Sequence, residues 1–350
     1  MSNSKNDRNS RLDALKGIGI FLVIFGHIIH IPEIRTYILW SFLMPMFFFI
    51  SGIMFNYEKY LSFKWFLLKK IVSLIFPYLF FYILTLVYWI LIERHFRGEG
   101  VPIWTQFIGM IYGTYSMRYM MFNGALWFIP CLFSMGIIYY FFSYLLKTNG
   151  VAAKLGGLLI IYLIGISLLH YMPVLPWGIC AACLGIGFYG IGNIFRKPLI
   201  EMELSYKSLF PMLICGIILQ ILLYPYSGAD LALLKIPNIY MYMPVGFVGI
   251  AIYFGIADIL SESKILKYMG MNSLVMFTLQ EPCYRMVLFL FSKVADMPVE
   301  SIRLNVVYCL FATFATILFI CPAIFLWNKW GKAVQKMMLL KINSYAESSN

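Results

Sequence analysis

The sequence predicts an all-α polytopic membrane protein of about ten transmembrane helices with both termini in the cytoplasm, and three observations carry that expectation. Hydrophobic residues make up 62% of the 350-residue chain and charged residues only 12%, against roughly 45–50% and about 25% in a soluble domain. Too few charges remain to cover a water-facing surface. The apolar residues fall in runs of about 20, the length of helix that crosses the hydrocarbon core of a bilayer. The basic residues, which give a net charge of +12, are spread unequally over the two sides of those runs.

The first run covers 12–31 and follows Lys5, Arg8, Arg11 and Lys16. These charges imitate the start of a signal peptide, but no small-residue cleavage site closes the run and a second apolar segment follows at once. An uncleaved first span is expected. The second and third runs are 37–56 and 71–92. The long connection 93–124 carries Ile103, Trp104, Phe107, Ile108 and Ile111 at helical spacing, which predicts an interfacial helix. The fourth run is 125–146, and the fifth and sixth, 155–172 and 174–195, are parted by little more than Pro173. The last four are 208–225, 239–260, 272–292 and 302–328. Residues 1–11 then form a cytoplasmic segment, 12–328 one membrane-embedded domain, and 329–350 a basic cytoplasmic tail.

With a cytoplasmic N-terminus, 19 of the 27 Lys and Arg residues fall on the cytoplasmic side and seven on the other, with Arg285 inside the ninth span. Lys and Arg in short loops decide orientation, so the net charge reads as a sidedness label. Nucleic acid is not an expected partner; the lipid bilayer is. All seven cysteines lie within predicted spans, which argues against a disulfide framework. Cys180-x-x-Cys183 has metal-ligand spacing but no second Cys or His pair in a polar loop. Small apolar packing residues and no metal are expected.

Ionisable groups inside spans are costly and mark function unless a structural role explains them. Lys16 and His27 stand eleven residues apart, about 20° past three full turns, so they share one helical face roughly 16 Å apart along the axis. Lys16 has a plain alternative as an interfacial anchor, and His27 as an imidazole satisfied by a neighbouring helix. His30, one turn further out, reads as interfacial, as does Asp258, while His95 and His170 fall near the outer ends of spans and read as solvated. The ninth span holds Gln280, Glu281 and Arg285 around Pro282. Glu281 and Arg285 have the i,i+4 order that favours an ion pair, either structural or substrate-binding. Pro282 frees a backbone carbonyl, which membrane helices tolerate beside a cavity or another helix.

Four segments together resemble the membrane-bound sugar O-acyltransferases of acyltransferase family 3, in particular the branch similar to fucose 4-O-acetylases. Arg11-Leu-Asp13-Ala-Leu-Lys16-Gly17, continuing to Gly26-His27, matches the family's basic residue, ten-residue gap and His. Met44-Pro45-Met-Phe-Phe-Phe-Ile-Ser51-Gly52, Gly124-Ala-Leu-Trp127-Phe128 and Gly270-Met-Asn272-Ser273-Leu274 resemble its other three segments in order. The resemblance covers roughly residues 8–330. Leu43 and Gln280 stand where the branch often has histidines, and Ser73 where a second Arg is often found after Lys69 and Lys70. The first two departures suggest a different acceptor.

The resemblance implies transfer of an acyl group, usually acetyl from cytoplasmic acetyl-CoA, onto a hydroxyl of a cell-surface or lipid-linked carbohydrate at the plasma membrane. His27 is then general base or transient acyl carrier. Arg11, Lys16, Lys69 and Lys70 are candidates for the CoA phosphates, and Asn123, Trp127, Gln280, Glu281 and Arg285 for the acceptor. Two other classes fit ten spans. A transporter of a glycan or acylated product would suit the Glu281–Arg285 pair but lacks an inverted repeat; a membrane scaffold would leave His27 unexplained.

Overall fold

Apolar runs broken by short polar connections fold here into a helical bundle, and the described residues contain no strand beyond an isolated bridge between Asp230 and Lys235. The computed structural model describes residues 9–348 apart from 61, 99, 117, 118, 203 and 204. Lys5, Arg8 and Arg118 of the charge count lie outside the described residues.

Helix α1 (Ser10–Ile28) runs from the end of the bundle that holds Arg11 to the opposite end, where His27 lies. A π-helical stretch, Glu33–Trp40, leads into α2 (Ser41–Met54). Helix α3 (Phe63–Lys70) passes through π-helical Ile71–Ile75 into α4 (Phe76–Leu91). The expected interfacial helix is α5 (Ile103–Tyr112), closed by Gly113 in the left-handed conformation at φ 67°. A 3-10 turn, Gly124–Trp127, opens α6 (Phe128–Leu145). There follow α7 (Val151–Tyr171), α8 (Ile179–Ile194), short α9 (Arg196–Glu201), α10 (Tyr206–Leu223) and α11 (Ile239–Ile259). Short α12 (Lys264–Met271) precedes α13 (Ser273–Ala295), and α14 (Val299–Arg303) precedes α15 (Val306–Leu326). The expected basic tail is helical: π-helical Trp327–Gly331 joins α15 to α16 (Lys332–Ser348).

Among the described residues nine helical runs are long and apolar enough to cross a membrane. The tenth expected span, α1, is 19 residues long but carries Arg11, Asp13 and Lys16 in its first two turns. The fold is an all-α polytopic membrane protein. Its outermost helices expose apolar side chains that only lipid would solvate, such as Leu159, Ile160 and Leu163 on α7 and Ile217, Ile221 and Leu222 on α10.

Two helix crossings hold the centre together. In the first, α1 lies against α12: a Cβ at Gly17 would overlap the carbonyl of Leu266, and one at Gly270 the carbonyl of Asp13. In the second, α2 lies against α8, with Gly52 on the carbonyl of Tyr189 and Gly192 on that of Phe49. Only small residues let helix backbones approach so closely, and dispersion then supplies the attraction that hydrophobic burial cannot supply in lipid. These contacts fix α1 and α2, and with them the position of His27.

Candidate active site

A cavity of about 700 Å³ opens at the His27 end of the bundle. Its walls come from α1, the Glu33–Trp40 stretch, α2, the connection between α4 and α6 with Arg97, Tyr115 and the turn before α6, the loop 230–233, α13 and α14. Of the expected site residues, His27, Trp127, Glu281 and Arg285 all line it. Leu43, one of the two departures from the branch, lines it as well.

His27 sits in the last turn of α1 between two aromatic rings, Tyr284 and Trp40, each with its centroid 6.2 Å away. Its main-chain carbonyl accepts a hydrogen bond from Arg303 Nη2 at 2.8 Å, and the carbonyl of Ile28 accepts one from Arg303 Nε at 2.8 Å. Arg303 thus caps the carbonyls left open at the end of α1. The imidazole nitrogens have no hydrogen-bond partner among the described residues, and His27 lines the cavity. The charged groups acting on the ring are Glu281, Asp230, Arg35 and Arg303.

The expected Glu281–Arg285 pair is present and forms part of a larger network. Arg285 Nη1 donates to Glu281 Oε2 at 2.9 Å, while Nη2 donates to Glu93 Oε2 at 3.0 Å and to the carbonyl of Phe122 at 2.5 Å. Arg285 Nε also contacts Glu93 Oε1. Glu281 Oε1 accepts from the backbone N–H of Ala125 at 2.8 Å, a carboxylate at the N-terminal end of the turn that opens α6. Pro282 cannot donate to the carbonyl of Thr278, and that carbonyl accepts instead from Asn123 Nδ2 at 2.8 Å. Asn123 is therefore a buried tie between the connection before α6 and α13; it does not line the cavity. Gln280 does not line it either: its side chain is fully buried, and neither amide atom has a hydrogen-bond partner among the described residues.

The four basic candidates lie at the other end. Arg11 pairs with Asp258 on α11 through Nε at 2.5 Å and donates to the carbonyls of Leu199 and Met202. Lys16 Nζ meets Asp13 Oδ1 at 3.0 Å. Lys69 and Lys70 belong to a different cluster, over the rings of Tyr60 and Phe66. The face shared by Lys16 and His27 is closed between them, since Ile20 is 0% and Val23 2% exposed and Gly19 packs on Met46 and Phe47. Val23, one turn before His27, forms part of the cavity wall.

Sequence reasoning missed Arg35, Trp40, Glu93, Asp230, Tyr284 and Arg303 as parts of this site. Arg35 and Arg303 had offered one signal, as arginines on the side of the charge count where such residues are scarce. Tyr284 stands beside Arg285 on the ninth span, and Trp40, Glu93 and Asp230 are joined to the site only by the tertiary fold.

No curated protein and no solved structure matches the chain significantly. A family model described as an acyltransferase domain, that of acyltransferase family 3, matches residues 9–327. That match spans the helices that build the cavity and the four segments noted in the sequence, and by it the chain belongs to acyltransferase family 3.

Proposed function

We propose that this membrane acyltransferase moves an acyl group, acetyl in the simplest case, from cytoplasmic acyl-CoA to a carbohydrate hydroxyl bound in the His27 cavity. The observation that carries the reading is His27, which lines a cavity of about 700 Å³ and whose ring nitrogens have no hydrogen-bond partner among the described residues. The Arg11 end is the cytoplasmic one on this reading, in the plasma membrane, and the acceptor is a cell-surface or lipid-linked glycan.

His27 takes the proton of the acceptor hydroxyl as that oxygen attacks the thioester carbonyl. The C–S bond breaks, and the imidazolium returns its proton to the CoA thiolate. General base catalysis of this kind contributes roughly 10²–10⁴-fold. A transient acyl-imidazole, formed on the same ring and released by the hydroxyl, uses the same geometry. Trp127 and Tyr284 offer ring faces to a sugar. Glu281 and Arg285, fixed by Ala125, Phe122 and Glu93, present hydrogen-bonding groups that need no reorganisation.

The donor enters from the Arg11 end on this reading, past Lys16, Lys69 and Lys70. Arg11 and Lys16 already have carboxylate partners in Asp258 and Asp13, so their part in phosphate binding requires exchange of those partners. Passage of the thioester to His27 requires Met46 and Phe47 to move. Both sit on α2 against Gly19, and Met is the side chain best suited to such repacking. The branch similar to fucose 4-O-acetylases remains the proposed relationship, with Leu43 and Gln280 as its departures.

The test is transfer of radiolabelled acetyl from acetyl-CoA to a saccharide by the purified protein in proteoliposomes. Label recovered as a base-labile ester, with stoichiometric release of free CoA, is the expected result. Intact acetyl-CoA and unmodified saccharide after prolonged incubation with a panel of glycans would overturn the reading.

A further inference from the structure

The cavity wall holds two guanidinium groups that form no ion pair with a carboxylate among the described residues. Of the four arginines lining it, Arg285 is paired with Glu281 and Glu93, and Arg97 lies 3.8 Å from Glu93. Arg35 and Arg303 form no ion pair among the described residues. Two acids of this region make other contacts. Glu300 is bonded to His30 Nδ1 at 3.0 Å, and Asp230 Oδ1 accepts from the N–H of Leu233.

The two arginines are held differently. Arg303 spends Nε and Nη2 on the carbonyls at the end of α1, which leaves Nη1. Arg35 lies over the indole of Trp40, 5.0 Å from the ring centroid, and its Nε is buried without a hydrogen-bond partner. The indole fixes the plane of the guanidinium and shields one face from water. Both cations act on His27, and Arg35 acts on Arg303 against the opposite influence of Glu300. With its Nε buried and unpartnered, Arg35 keeps donor capacity that an entering anion would satisfy. On the orientation proposed above, both arginines also stand on the side of the membrane where Lys and Arg are scarce, so anchoring does not account for them.

We propose that Arg35 and Arg303 bind an anionic group of the acceptor, a carboxylate or phosphate carried by the sugar, and so present its hydroxyl to His27. The planar fork of Arg suits both groups. This inference rests on the proposed acyl transfer for the identity of the ligand as acceptor, but binding can be measured without turnover.

The experiment is isothermal titration calorimetry of the purified protein in nanodiscs at low ionic strength. Its three probes are methyl β-glucuronide, glucose 1-phosphate and methyl β-glucoside. At least one anionic probe is expected to bind about tenfold more tightly than the neutral glucoside, the scale of one charge-assisted hydrogen bond. The tighter of the two anions distinguishes a carboxylate from a phosphate. Arg35→Gln should reduce the preference to about threefold or less, and Arg35→Lys should retain part of it. Equal binding of charged and neutral probes, no detectable binding of either anion, or a preference unchanged in Arg35→Gln would overturn the inference. Anion binding without acyl transfer would instead count against the proposed function alone. Acyl transfer without anion preference would count against this inference alone.

Discussion

Asp230 enters the cavity wall from a tight loop closed by the backbone pairing of Asp230 with Lys235. Burial pushes its carboxyl above the usual carboxylate range, although the N–H groups of Leu233 and Ala232 act in the opposite direction. A raised value means that the native state holds this proton more tightly than the unfolded chain. The stability contributed is complete below the ordinary carboxylate pKa and is lost as the pH rises through the raised one. At pH 7 the charge is therefore a net cost. Asp230→Asn, which keeps the acceptor for Leu233 N–H, is expected to raise Tm at neutral pH, with the gain shrinking to nothing in acid. A lower Tm at neutral pH would contradict this account. Glu281 and Arg285 were legible as a pair because one helix carries both at i,i+4 spacing. Glu93 and Ala125, which complete their network, lie 192 and 160 residues from Arg285 in sequence, and no local pattern links them. Asn123 is a candidate acceptor contact in the sequence, as a polar side chain able to hydrogen-bond a sugar. The structure gives its amide to the carbonyl that Pro282 leaves free.

At the scale of the helices, the segments that resemble the family are largely packing devices. Gly17 and Gly270 let α1 and α12 touch backbone to backbone, and Gly52 does the same for α2 on α8. Asn272 joins α12 to α13, donating to the carbonyl of Tyr268 at 2.8 Å and accepting from Asn328 at 3.0 Å. The 3-10 turn Gly124–Trp127 places Ala125 N–H on Glu281 and Trp127 in the cavity wall. Gly270→Ala must push α12 away from Asp13 and is expected to cost about 1–3 kcal/mol, the range for overpacking. Gly156→Ala provides the contrast. Gly156 lies within α7 with nothing near its missing Cβ, and alanine there should be neutral or stabilise by about 0.5–1 kcal/mol. Thermal unfolding in detergent compares the two, and equal Tm values would contradict the close crossing. Spans and the interfacial helix α5 were readable from hydropathy and periodicity. The short α12 was not, because its eight residues, with Lys264 and Lys267 among them, are too short and too charged to stand out as a span.

For the molecule as a whole, the central question is which end faces the cytoplasm and whether His27 performs the chemistry. The charge count predicts that the Arg11 end is cytoplasmic. Thr148 and Ser301 are exposed near opposite ends of the bundle. In intact cells a membrane-impermeant maleimide should label Ser301→Cys and spare Thr148→Cys, with both labelled after lysis. The reverse pattern would invert the orientation and put the cavity on the cytoplasmic side. The composition made the membrane fold legible, and the eleven-residue spacing of Lys16 and His27 made one candidate group legible. The cavity was not, since its walls are drawn from stretches of chain far apart in sequence, and neither was the closed face between Lys16 and His27, which depends on how α2 packs on Gly19. The most direct test of the whole account is acetyl transfer by His27→Ala beside the unaltered protein, in the same proteoliposomes and with matched Tm. The account predicts that ester formation falls to background; transfer at an undiminished rate would contradict it.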